Sequence, residues 1–162
     1  MAWGFGDIIR TWLDDITRGE HLKSTVKKTR DWTMKVASNI ESTGATRIRL
    51  QELGNSMEPD ASYKHKICSI PDLLVEVSWS QRGKMLPRRA KRLIEEMDGR
   101  VRTVIGLDMS DIYKGGRKAT FSVWKAKSEL NDSREEKWTV HTVINNQVSD
   151  CRTQNTNLIG KL

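Results

Sequence analysis

The sequence predicts a mixed α/β domain with a single central sheet. Three observations support this. Apolar residues recur at spacings of three and four in two N-terminal segments and again between Leu86 and Met97. Alternating or short apolar runs, typical of strands, fill the segments between and after them. The 162 residues, 36% hydrophobic and 30% charged, suffice for one domain with its own core and no disulfide staple. The resulting order is helix, helix, three strands, helix, then two or three further strands, which calls for helices packed on one sheet.

Asp7 is placed to cap a short helix that carries Ile8, Ile9, Trp12, Leu13 and Ile16 on one face, with Gly19 as its stop. A second helix is expected over residues 21–43, because Leu22, Val26, Thr29, Thr33, Val36 and Ile40 share a face. Residues 46–51 alternate as a half-buried strand, and Gly54-Asn55 reads as a turn. Pro59-Asp60 opens a second strand and Pro71 a third, whose Leu74, Val75 and Val77 look buried. The next helix runs from Leu86 to Met97, with Pro87 in its first turn, Ala90, Leu93, Ile94 and Met97 buried, and Gly99 after its end. Residues 101–108 form a strand with an apolar centre, as in the middle of a sheet. Residues 118–126 alternate cleanly, with Ala119, Phe121, Val123 and Lys125 expected on one side. Residues 137–147 are expected to align Trp138, Val140, Thr142 and Ile144 on one face, after a polar loop over 128–136. The domain is assigned to residues 1–148, with its core over about 22–125, and residues 149–162 to a polar tail.

Charge narrows the partners. The chain carries a formal +7 and a pI near 9.6, which favours polyanions. No apolar run approaches the ~18 residues that span a bilayer, and Met1–Asp7 lacks the basic and apolar regions of a secretory signal. An intracellular protein of nucleus or cytoplasm, without a membrane, is expected. Cys68 and Cys151 have no CxxC spacing and no histidine cluster beside them, so two free thiols are expected rather than a zinc site.

Two acids carry the candidate chemistry. Glu76 stands among Leu74, Val75 and Val77, where a carboxylate is costly unless a cation or metal meets it. Asp60 opens the preceding strand, so paired strands bring the two acids side by side, an arrangement that Mg²⁺ would relieve. From Arg82 to Arg92 there are six basic residues and no acid: Arg82, Lys84, Arg88, Arg89, Lys91 and Arg92. They are candidates for phosphate contact. The plainer reading is a solvated helix in which Glu95 pairs with Lys91 or Arg92, and Glu96 with Arg92.

The run PDAS…IPDLLVEVSWSQ…LPRRAKRLIEEMDGRVRTVIGLD resembles the PD-(D/E)XK nuclease superfamily, the restriction-endonuclease-like fold. Within it, the run is similar to a group of fungal proteins and bacterial restriction-endonuclease proteins with a PD…VVEV-S signature. The resemblance spans roughly residues 22–125. It implies a helix–strand–strand–strand–helix–strand core, with the two N- and C-terminal extensions outside it. It also implies Asp60 and Glu76 as ligands of Mg²⁺ or Mn²⁺, and a metal-dependent nuclease acting on DNA ahead of RNA. Many nucleases of this fold are homodimers. One departure stands out: the family's lysine, two residues after the second acid, is Ser78 here. Gln81 and Lys84 are the candidate replacements, and Glu41 is the candidate third acid, on the core helix. The alternative is a catalytically inactive binding module on the same fold. A cationic or amide side chain within reach of the acid pair favours the enzyme. Acids that stand alone, or are salt-bridged and buried, favour the module.

Overall fold

The structure is a computed structural model. It describes residues 11, 14, 18, 27–45, 47–49, 56–79, 85–130 and 135–150. The predicted N-terminal helix lies almost wholly outside them; of its residues, Arg18 N–H donates to the Asp14 carbonyl, the spacing of one helical turn.

The fold is mixed α/β around a six-stranded mixed sheet. Helix α1 (Lys27–Ala37) leads into strand β1 (Ile40–Gly44). Strands β2 (Ile48–Arg49) and β3 (Ser56–Met57) pair as a separate two-stranded ribbon. Strands β4 (Ala61–His65) and β5 (Leu73–Ser78) follow, then helix α2 (Leu86–Glu95), strand β6 (Thr103–Asp108) and the short helix α3 (Ser110–Tyr113). The long strands β7 (Lys118–Leu130) and β8 (Glu136–Asp150) complete the sheet, whose order is β1-β4-β5-β6-β7-β8. Among the described residues, only β5 and β6 pair in parallel, and α2 makes the crossover that parallel neighbours need.

Two expectations near the N-terminus are corrected. The second helix does not reach residue 43: it ends at Ala37, and Ile40–Gly44 is an edge strand paired with β4. Ile40 continues the helical stripe from Val36, but Ser38 and Asn39 stop the helix. The Ser38 hydroxyl and the Asn39 side-chain amide both donate to the Lys35 carbonyl, at 2.9 and 2.8 Å. The Asn39 carbonyl then accepts the Lys66 amide at 2.8 Å, so the chain has already joined the sheet. The strand expected over 46–51 is reduced, among the described residues, to Ile48–Arg49, and it pairs in the ribbon rather than in the main sheet. Asn55 and Gly54 lie outside the described residues.

The core has two layers of packing. On one face of the sheet, α2 lays Leu86, Ala90, Leu93 and Ile94 against Leu74, Val104 and Trp124, with Met97, Val101 and the ribbon's Ile48 and Met57. Leu93 and Ile94 are wholly buried, each contributing about 1.5–3 kcal/mol of hydrophobic stabilisation. The expected stripe of Ala90, Leu93, Ile94 and Met97 is therefore the buried face. Past the helix, Asp98 and Gly99 both take positive φ, and the Gly99 amide bonds back to the Ile94 carbonyl at 3.1 Å. A Cβ on Gly99 would overlap the ring of Trp138. On the opposite face, Ala61, Tyr63 and Val75 pack with Ile40, Leu73, Val77, Ile105 and Leu107.

Strand β8 departs from expectation in phase. On β7 the buried residues are Ser122 and Trp124, while Ala119, Phe121 and Val123 are half-buried. The register shifts around Val123 set Ile144 opposite Val123, while Thr142 stands opposite Trp124 and Val140 opposite Ala126. Ile144 thus leaves the row that holds Val140 and Thr142, a consequence of an inserted residue in a strict two-residue repeat. Asn146, at φ 47°, fixes the irregularity by exchanging hydrogen bonds with the Ser122 hydroxyl. The polar loop is also shorter than expected, since β7 runs through Leu130 and β8 starts at Glu136. Among the described residues, no helix is long and apolar enough to cross a membrane.

Candidate functional site

Strand alternation brings the two acids together. Ala61 pairs with Val75 across the antiparallel β4–β5 ladder, so the next position outward sets Asp60 beside Glu76. Ala61, Tyr63 and Val75 all pack on the face away from α2, which leaves Asp60, Glu76 and Ser78 on the α2 face. The buried Ser62 pins this strand end to β1: its hydroxyl donates to the Gly44 carbonyl at 2.6 Å and lies 2.7 Å from the Thr43 hydroxyl.

Asp60 and Glu76 line one pocket of ≈ 280 Å³, together with Val77, Ser78, Trp79, Met85, Leu86 and Arg89. Their environments differ. Asp60 is exposed, and its Oδ2 accepts the Val77 amide at 2.6 Å, so β5 itself orients the carboxylate. Glu76 is only 3% exposed. Its partner in β6 is Gly106, above which the Trp124 ring lies so close that a Cβ would sit 2.6 Å from Cζ3. With Leu86 beside it, this apolar floor removes water from one side of Glu76.

Arg89 answers that desolvation. Its Nη2 donates to Glu76 Oε1 at 2.9 Å, and its Nε stands 2.9 Å from Oε2. The Nε–H does not point along a hydrogen bond, so this second contact is an ion pair at short range. Nη2 also reaches the Glu58 carbonyl at 3.5 Å, a weak bond. Burial raises the Glu76 carboxyl above the usual glutamate range. Arg89 pulls it back in part, and the negative charge of Asp60 pushes it further up.

The remaining sequence-derived candidates separate clearly. Gln81, Arg82 and Lys84 lie outside the described residues. Arg88 is exposed and, among the described residues, pairs with no acid. Lys91 lies 3.9 Å from Glu95, and Arg92 Nε donates to Glu96 at 2.8 Å, both at the four-residue helical spacing. Glu41 is corrected: it stands on β1, not on a helix, and pairs with Lys64 at 3.0 Å. Trp124 is core at 3% exposure, whereas Trp79 is 53% exposed at the pocket rim. Among the described residues, Cys68 is a free thiol.

Sequence reasoning treated Arg89 as one of six phosphate candidates and missed it as the partner of Glu76. It also missed the Val77 amide as the group that holds Asp60.

The donor set suits the divalent ion that the resemblance implies. Mg²⁺ keeps several waters and is commonly held by one or two carboxylates, and Asp60 and Glu76 supply two. Among the described residues, no group of three or more His, Cys, Asp or Glu side chains assembles. Both Glu76 oxygens already face Arg89, so a metal there has a cation to displace. No protein-family model, no curated protein and no solved structure matches the chain, so the candidate site stands on its own geometry.

Proposed function

We propose that this protein binds nucleic acid on a restriction-endonuclease-like core and cleaves phosphodiesters with Mg²⁺ or Mn²⁺ held by Asp60 and Glu76. The observation that supports this reading is the meeting of both acids in one pocket at the edge of a basic helix, on consecutive antiparallel strands ahead of a helical crossover. When bound, the metal would polarise the phosphodiester and lower the pKa of its water.

The chain's own residues do the rest. The Val77 amide aims the Asp60 carboxylate, and the apolar floor keeps Glu76 in a weakly solvated place where its charge acts strongly. Ser78 replaces the family's lysine and brings no charge. Arg89, of the described residues, supplies the positive charge at the acid pair, and Lys84 and Gln81 remain candidates for assisting the attacking water. Exposed Arg88 and Lys91 would contact phosphates flanking the scissile position.

The Glu76–Arg89 contact also favours a second reading, a binding module without catalysis, since the inner acid is buried and salt-bridged. Cleavage of supercoiled and single-stranded DNA separates the two. Activity that requires Mg²⁺ or Mn²⁺ and is lost in Asp60→Asn and Glu76→Gln supports the nuclease. Salt-sensitive binding without cleavage, retained in both variants, supports the module.

A further inference from the structure

We propose that Arg89 is an exchangeable cation: it neutralises Glu76 in the free protein, yields that place to a divalent metal ion, and then grips a phosphate of the nucleic-acid strand. This rests on the metal-binding reading of Asp60 and Glu76.

Glu76 cannot stand alone. At 3% exposure its carboxylate needs a positive partner, and both oxygens lie 2.9 Å from the Arg89 guanidinium. A divalent ion between Asp60 and Glu76 would bring two positive charges within a few ångströms of that guanidinium. The repulsion favours the departure of Arg89, and the metal takes over the neutralisation of Glu76. One cation is exchanged for another, so the buried charge is never left uncompensated.

Arg89 is built to leave. Its side chain is 41% exposed, its Nε–H makes no aligned hydrogen bond, and its second tether, to the Glu58 carbonyl, is 3.5 Å long. Only the Nη2 bond to Glu76 is well formed. Once released, the guanidinium is at the pocket mouth beside exposed Arg88 on the same helix. Its planar fork matches two phosphate oxygens, which a lysine's point charge does not. Metal and strand therefore promote each other's binding, as linkage requires in both directions.

The test uses the full chain and Ca²⁺, which occupies oxygen-ligand sites and avoids strand cleavage. Ca²⁺ affinity is read from thermal shift, and strand affinity from the polarisation of a labelled single-stranded oligonucleotide, with and without Ca²⁺. The expected results are that Arg89→Gln binds Ca²⁺ about fivefold tighter or more, because the competitor is gone, and that Glu76→Gln loses Ca²⁺ binding. Ca²⁺ should strengthen strand binding about fivefold in the wild type and not at all in Arg89→Gln. Arg89→Lys, which keeps the charge, covers the case in which Arg89→Gln does not fold. It should hold Ca²⁺ like the wild type while losing most of the gain in strand affinity. If Arg89→Gln binds Ca²⁺ no tighter while Glu76→Gln abolishes it, Arg89 is no competitor: the exchange falls and the metal site stands. Full coupling in Arg89→Lys overturns the grip of the planar fork on the phosphate, because a point charge then serves as well. Absence of Ca²⁺ binding in every protein removes the metal site and the exchange together.

Discussion

Replacing Arg89 by methionine should destabilise the protein by about 1–3 kcal/mol at pH 7, and by less at pH 5. Breaking a buried ion pair by removing one partner typically costs about 3–5 kcal/mol. Two features lower that figure here. Arg89 is 41% exposed, so its own charge is partly solvated and the pair is worth less than a fully buried one. The carboxylate also has an escape by taking a proton. Neutralising an ordinary glutamate at pH 7 costs about 3.7 kcal/mol, at 1.36 kcal/mol per unit. Glu76 begins above that ordinary range because burial raises it, so its cost is smaller.

The pH dependence follows from the same shift. A carboxyl raised in the folded state binds more protons there than in the unfolded chain. Stability is therefore highest below the unfolded value and falls as pH climbs through the window up to the folded value. Removing Arg89 deletes both influences that lower Glu76 and leaves those of burial and Asp60, so the window widens upward. Urea unfolding of wild type and Arg89→Met at pH 5 and 7 measures this directly. A penalty below ~0.5 kcal/mol at pH 7, or one that does not shrink toward pH 5, would show that Arg89 does not neutralise Glu76.

Further substitutions probe the supports of the site. Leu93→Ala removes a wholly buried side chain between α2 and the sheet and should cost about 2–5 kcal/mol in urea unfolding. Gly106→Ala sets a methyl 2.6 Å from Trp124 Cζ3 and should cost about 1–3 kcal/mol, with a shift in tryptophan emission as the ring moves. Arg88→Ala touches nothing in the core; its stability should stay within about 0.5 kcal/mol, while the salt slope of oligonucleotide binding falls by about one. Trp79→Ala should be similarly neutral for stability, because the ring is 53% exposed, and should weaken single-stranded binding more than duplex binding if bases stack on it.

Where one periodicity held along a segment, the sequence was a good guide. The α2 stripe, the buried β5 run and the central position of β6 all came from unbroken patterns of three-and-four spacing or apolar continuity. Failures came where a pattern continued past a physical stop. The helical stripe ran on through Ile40, but the Ser38 and Asn39 side chains had already taken the Lys35 carbonyl. The alternation of β8 ran on through Ile144, but a bulge had shifted the register. Neither a cap that competes locally nor an inserted residue disturbs the hydrophobic count, so neither is visible in it.

Arg89 shows a different limit. At about 100° per residue, the buried stripe of α2 centres near Ala90, which leaves Arg89 and Lys91 on its two flanks and turns Arg88 and Arg92 to solvent. Periodicity thus reduces the four described basic residues of the helix to two that can reach the sheet. It cannot choose between them, because that depends on which flank lies over β5 when α2 docks. The docked helix gives Glu76 the Arg89 flank, while Lys91 turns to Glu95. Two acids one strand apart were legible from Pro59-Asp60 and the strand holding Glu76. The cation that meets Glu76 was not, because it is set by the direction in which a helix crosses a sheet, and that is a property of packing. Under the proposed function, the choice between enzyme and binding module turns on the same residue, because Arg89 must release Glu76 before the acid pair can hold a metal.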